Sequence, residues 1–133
     1  MAKYVFPAIF TPEDGGYTIV FPDVENCFTE GDTLTEAMDN AKDVLCMMLY
    51  DLERKGKDIP KASNVVDLQR QDAAGEFVTL ISCDTIEYRK FHDSRAVKKT
   101  LSIPSWLNEM AEQADINFSA LLQSALKQQL NIQ

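Results

Sequence analysis

The 133-residue sequence predicts an α+β protein in two parts: a β-β-β-α-β domain over residues 1–93 and a strand-helix-helix module over residues 94–133. Three patterns carry that reading. Thr11-Pro12-Glu13-Asp14-Gly15-Gly16 is a dense turn signal between two runs of branched and aromatic residues, as a β-hairpin requires. Leu34, Ala37, Ala41, Val44, Leu45, Met48, Leu49 and Leu52 recur at helical spacing and form the apolar stripe of a long helix. Near the C-terminus, Val97, Lys99, Leu101 and Ile103 alternate with Lys98, Thr100 and Ser102, the period of a strand, just before two short amphipathic helices. A lone strand beside two such helices cannot close a core, so a second copy is expected to complete it.

Taken in order, Lys3 to Phe10 reads as the first strand and Tyr17 to Phe21 as its hairpin return. Pro22-Asp23-Val24-Glu25-Asn26 makes a second turn into a short third strand around Cys27-Phe28-Thr29. Gly31-Asp32-Thr33 opens the long helix, with Asp32 or Thr33 as its cap and Glu36 in its first turn. Lys55-Gly56, basic then glycine, suits its C-terminus. After the loop Asp58 to Ser63, Asn64 to Arg70 reads as a strand or an extended connector. Glu76 to Ile86 supplies a further strand through Phe77, Val78, Leu80, Ile81 and Cys83, and the polar segment Tyr88 to Arg95 reads as the join between the two parts.

In the tail, Pro104 cannot continue a ladder but suits the first turn of a helix. Trp106, Leu107, Met110, Ala111 and Ala114 carry that helix to about residue 114. Asp115-Ile116-Asn117 breaks it, Asn117 is placed to cap the next one, and Phe118, Leu121, Leu122, Ala125, Leu126 and Leu130 form a second stripe. This succession resembles the ribbon-helix-helix family of bacterial repressors, in which two chains pair their strands into a ribbon that enters the major groove. The resemblance implies that Lys98, Thr100 and Ser102 face the bases, and that backbone N–H groups near Asn117, Phe118 and Ser119 hold a phosphate. The family often has glycine in the inter-helix turn; here Asp115 or Asn117 must serve, and both tolerate the left-handed conformation.

The net charge of -8 is unevenly divided. Residues 1–93 hold nine Lys/Arg against eighteen Asp/Glu, a balance of -9, whereas residues 94–133 hold four against three, a balance of +1. So weakly charged a DNA-binding tail makes few phosphate contacts per chain, and its affinity is expected to depend on dimers, alone or side by side. The acidic first part favours a basic partner or serves solubility.

Cys27, Cys46 and Cys83 are odd in number, widely spaced and without a CxxC pair, and read as reduced, mostly buried side chains. The stretch Met1-Ala2-Lys3-Tyr4-Val5-Phe6-Pro7 has no apolar core of a signal peptide, and no apolar run reaches membrane-spanning length. A cytoplasmic protein is expected.

The order of three strands, a helix and another strand, with Phe21-Pro22-Asp23 and Gly31-Asp32-Thr33-Leu34-Thr35-Glu36-Ala37 at the junctions, resembles the HicB antitoxin family. The resemblance covers nearly the whole chain. It departs at Glu25-Asn26, where the family commonly has Pro-Gly, and Asn26 is expected to keep the turn. It implies a truncated ribonuclease H-like domain that binds and covers HicA, a small basic toxin that cleaves messenger RNA, joined to a ribbon-helix-helix module that represses the operon encoding both. Phe21, Asp23, Glu25, Glu30, Glu36, Asp39 and Asp43 are then the candidate toxin contacts, through electrostatic capture of an RNA-binding surface.

Catalysis is not expected. A ribonuclease H-like core invites a search for clustered carboxylates that would hold magnesium, but most acids here fall in turns or on the polar helix face. The sole histidine, His92, sits in the expected connector without organised partners and reads as a solvated residue, and the cysteines have no sequence-local base. No cofactor or metal is implied. The competing function is a ligand-sensing ribbon-helix-helix repressor without a toxin partner, its aromatic residues lining a pocket rather than a core.

Overall fold

The computed structural model describes residues 3–69, 75–93 and 95–132. The chain divides into two compact units, Met1–Arg95 and Ala96–Gln133. Ser94, at the expected boundary, lies outside the described residues, as does Arg70 at the end of the ambiguous segment.

The first unit runs β1 (Lys3–Glu13), β2 (Gly16–Val20), β3 (Phe28–Gly31), α1 (Leu34–Arg54), α2 (Val65–Leu68), β4 (Phe77–Asp84) and α3 (Thr85–His92). All strand pairs are antiparallel, in the order β3-β2-β1-β4. The hairpin is tighter than the sequence pattern indicates: Glu13 pairs with Gly16, leaving only Asp14 and Gly15 in the loop. Both have positive φ, 49° and 82°, as the primed turns that match strand twist require. β1 therefore runs on through Pro12. Pro7 is paired only with β4 and Pro12 only with β2, so each proline falls where β1 has a neighbour on one side and its missing N–H need not join a second ladder.

Strand alternation sends Phe6, Ala8, Phe10, Ile19, Ile81 and Cys83 into one face of the sheet, where they meet Ala37, Ala41, Leu45 and Leu49 of α1. Each fully buried large side chain of this kind contributes roughly 1.5–3 kcal/mol relative to exposure. Thr33 caps α1 by accepting from the Glu36 N–H at 3.1 Å, and the Glu36 carboxylate accepts in return from the Asp32 N–H at 3.3 Å. At the other end Gly56 takes φ +66°, the left-handed residue that stops the helix. Asn26 does the same work in the second turn at φ +58°.

Two segments of this unit differ from the sequence reading. Residues 65–68 form a single helical turn, neither strand nor extended connector. The expected connector Tyr88 to Arg95 is instead largely α3, which begins directly at the end of β4. Its signal was present: Asp84 accepts from the Ile86 and Glu87 N–H groups, and Arg89, Lys90 and His92 complement the C-terminal dipole.

The second unit is α4 (Ser105–Gln113) and α5 (Phe118–Gln129). Asp115 supplies the left-handed turn residue at φ +55°, and Asn117 caps α5 by accepting from the Ala120 N–H at 3.0 Å. Residues 95–104 carry no strand. A strand needs a hydrogen-bonded neighbour, and among the described residues no segment pairs with this one. None of the described residues of this unit is buried, and Val97, Leu101, Trp106, Met110 and Leu121 are all exposed.

Candidate functional site

The carboxylates expected to meet a partner do not share one surface. Phe21 is 1% exposed and belongs to the core, so its side chain is withdrawn from any contact. Asp23 is committed internally, accepting from both the backbone N–H and the hydroxyl of Ser63 and so tying the 21–27 turn to the loop after α1. Glu25 is exposed beside Asn26, and Glu36 is engaged in capping. Asp39 and Asp43 are exposed on α1. Asp43 borders a shallow groove with Asn40, Met47, Thr29, Tyr88 and His92. His92 is exposed, but it is the last residue of α3 and stacks on Tyr88 with ring centroids 4.1 Å apart.

Glu30 stands elsewhere. The β2–β3 register pairs it with Thr18, on the face of the sheet turned away from α1. The same register places Phe28 opposite Val20, and β1 continues the row through Ile9 to Val78. Phe28 is 66% exposed, Leu80 54%, Val5 50% and Val20 48%. One face of an antiparallel sheet is commonly solvated, but then it is polar; this one is apolar at its centre.

Glu53 organises the opposite end of the unit. Its carboxylate accepts from the Tyr4 hydroxyl at 2.7 Å and the Thr85 hydroxyl at 3.0 Å, and it pairs with the Arg89 guanidinium at 3.0 Å. β1, α1 and α3 are thereby joined. Burial, with the Glu53 hydrogen bond and charge added, pushes the Tyr4 hydroxyl up to about 12. The guanidinium of Arg89 also lies over the Tyr50 ring at 4.9 Å.

Cys27, Cys46 and Cys83 are free and buried. Cys46 of α1 and Cys83 of β4 share a hydrogen bond that lowers the first thiol and raises the second, while burial alone raises Cys27 to about 12. Among the described residues, no three His, Cys, Asp or Glu side chains are grouped to hold a metal ion. No helix among them is long and apolar enough to cross a membrane.

In the tail, Lys98, Thr100 and Ser102 are exposed within the stretch that has no regular structure. Phe118 and Ser119 open α5 just after the Asn117 cap, where the first backbone N–H groups have no intrahelical acceptor. The Ser119 hydroxyl accepts from Gln123 at 3.1 Å.

Comparison with known proteins covers both units. A family model described as HicB-like antitoxin of bacterial toxin-antitoxin systems matches residues 6–126. An uncharacterised 14.9 kDa protein from the rep-hol intergenic region of Haemophilus phage HP1 is 27% identical over 110 residues, which is 82% of this chain and 80% of that protein. Among solved structures, a chain of a toxin-antitoxin complex from Streptococcus pneumoniae superposes with TM-score 0.62 at 25% identity, covering 96% of this chain and 99% of that one. The antitoxin HicB of Burkholderia pseudomallei does so with TM-score 0.55 at 23% identity, over 92% and 96%, and supports the fold.

Proposed function

Given that the chain belongs to the HicB-like antitoxin family of bacterial toxin-antitoxin systems, we propose that it is a two-part cytoplasmic antitoxin that neutralises a small basic, HicA-like, mRNA-cleaving toxin and represses its own operon. The first unit is the inhibitory part, a truncated ribonuclease H-like domain that works by occlusion and not by catalysis. The tail is a ribbon-helix-helix module: two chains pair the 96–104 segments as an antiparallel ribbon, and Lys98, Thr100 and Ser102 face the major groove while the start of α5 holds a phosphate.

The observation that carries this reading is the match across residues 6–126, which spans both units. Two physical features support it. The balance of -9 in the first 93 residues suits a partner whose own surface is built to meet phosphates. A tail with no buried residue among those described, and with two helical stripes in water, gains its core only by association.

Co-expression with the short basic protein encoded beside it tests the proposal. A complex that copurifies and abolishes toxicity is the expected outcome. A neighbouring toxin that stays fully active in its presence contradicts it.

A further inference from the structure

We propose that the toxin seats on the outer face of the four-stranded sheet, with Phe28, Val20, Leu80 and Val5 as its apolar centre, and not on the carboxylates of α1. This rests on the antitoxin reading and specifies its surface. Strand register puts Val5, Ile9, Val20, Phe28, Val78 and Leu80 on the face turned from α1. Four of the six are about half exposed or more, which is an expensive arrangement for a sheet that folds alone. Polar positions flank this centre at both ends: the register adds Glu13 from β1, Thr18 from β2 and Glu30 from β3 at the hairpin end, and Lys3 from β1 with Ser82 and Asp84 from β4 at the other. An apolar centre with a charged rim is the anatomy of a protein-protein interface.

Charge selects the occupant. A second copy of this unit would bring another -9 against the first, whereas a basic protein meets Glu13 and Glu30 with opposite sign. Nucleic acid is excluded by the same balance. The α1 carboxylates contribute differently: Asp39 and Asp43 are exposed charges, able to steer an approaching cation, and the apolar side chains beside them, Met38 at 38% and Met47 at 48%, are less exposed than Phe28 at 66%.

The test uses the full chain and the basic toxin encoded beside it. The variant Phe28→Ser/Leu80→Ser is expected to weaken binding roughly thirtyfold or more, as loss of central contacts does, and to release RNA cleavage. Asp39→Asn/Asp43→Asn is expected to change affinity less than about threefold, chiefly through the association rate. Hydroxyl-radical footprinting of the unaltered complex gives a readout independent of any variant's folding. Phe28 and Leu80 become protected on toxin addition, while Met38 and Met47 of α1 react as before. Wild-type affinity in the sheet variant, or protection at Met38 and Met47 in place of Phe28 and Leu80, overturns the proposal while leaving the antitoxin reading intact. Protection of Phe28 and Leu80 before toxin is added assigns the face to the chain itself and also overturns it. A wild-type chain that binds no toxin removes the antitoxin reading and this inference together.

Discussion

A Cβ atom placed on Gly31 would lie 2.5 Å from the backbone nitrogen of Ala37 and 2.6 Å from its Cα. The first turn of α1 thus presses directly onto β3, and the motif from Gly31 to Ala37 is a packing device before it is anything else. The backbone of α1 cannot retreat without withdrawing Ala37 and Ala41 from the core, where both are fully buried. Gly31→Ala is therefore expected to destabilise the first unit by about 1–3 kcal/mol, the usual range for overpacking. Urea unfolding reads this as a lower midpoint with an unchanged slope.

The Tyr4–Glu53 contact gives an alkaline signature. Burial and then Glu53 raise the Tyr4 hydroxyl from its ordinary 10 to about 12 in the folded state. Between those values the native chain keeps a proton that the unfolded chain has lost, so this contribution to stability is complete below pH 10 and falls as pH rises toward 12. Tyr4→Phe is expected to be less stable near neutral pH, where the hydrogen bond is lost, and to show a shallower decline between pH 10 and 12. Thermal midpoints of the two proteins across that window check it; parallel curves would contradict the assignment.

In the tail, Asp115 holds φ +55° between α4 and α5. Glycine adopts that conformation without a Cβ penalty but loses more entropy on folding, so Asp115→Gly is expected to stay within about 0.5 kcal/mol of wild type. Asp115→Val, with a branched side chain in the left-handed region, is expected to cost about 1–3 kcal/mol. Melting at fixed protein concentration distinguishes the two.

The turns and caps of this protein were legible because each depends on neighbouring residues. Asp14-Gly15, Asn26, Thr33 with Glu36, Gly56 and Asn117 all perform locally what their residue types allow. The helix α3 is hard to read because its apolar stripe is weak and its polar residues look like a connector; the Asp84 cap, three residues before Glu87, and the basic residues of its last turn mark it. The expected strand at 96–104 has the right alternation and yet no ladder, because alternation records which side chains share a face and not whether a neighbouring strand pairs with it. The dispersal of the carboxylates was beyond reach for another reason. Whether Glu30 and Asp39 share a surface depends on register and on which face α1 covers, and both are set by long-range pairing. The apolar outer face was likewise hidden, because Val5, Ile9, Val20 and Phe28 read as core in any single strand.

The proposed DNA-reading face makes a separable prediction. Lys98→Ala/Thr100→Ala/Ser102→Ala is expected to abolish sequence-specific operator binding without loss of the dimer, because the strand period sets these side chains opposite Val97, Leu101 and Ile103. Toxin neutralisation should be unaffected. Fluorescence anisotropy with operator and with scrambled DNA, alongside sedimentation, measures both properties; wild-type discrimination in the triple variant would place the reading face elsewhere.

The division of labour between the units is tested most directly by toxin-dependent RNA cleavage in the presence of each part alone. A fragment ending at Arg95 and a tail from Ala96 onward, fused to an unrelated soluble carrier, follow the division of the chain. Protection by the first fragment, with association slowing as salt rises, and none by the tail is the result expected of an acidic inhibitory domain. Protection by the tail alone, with the first fragment inert, would reverse the assignment.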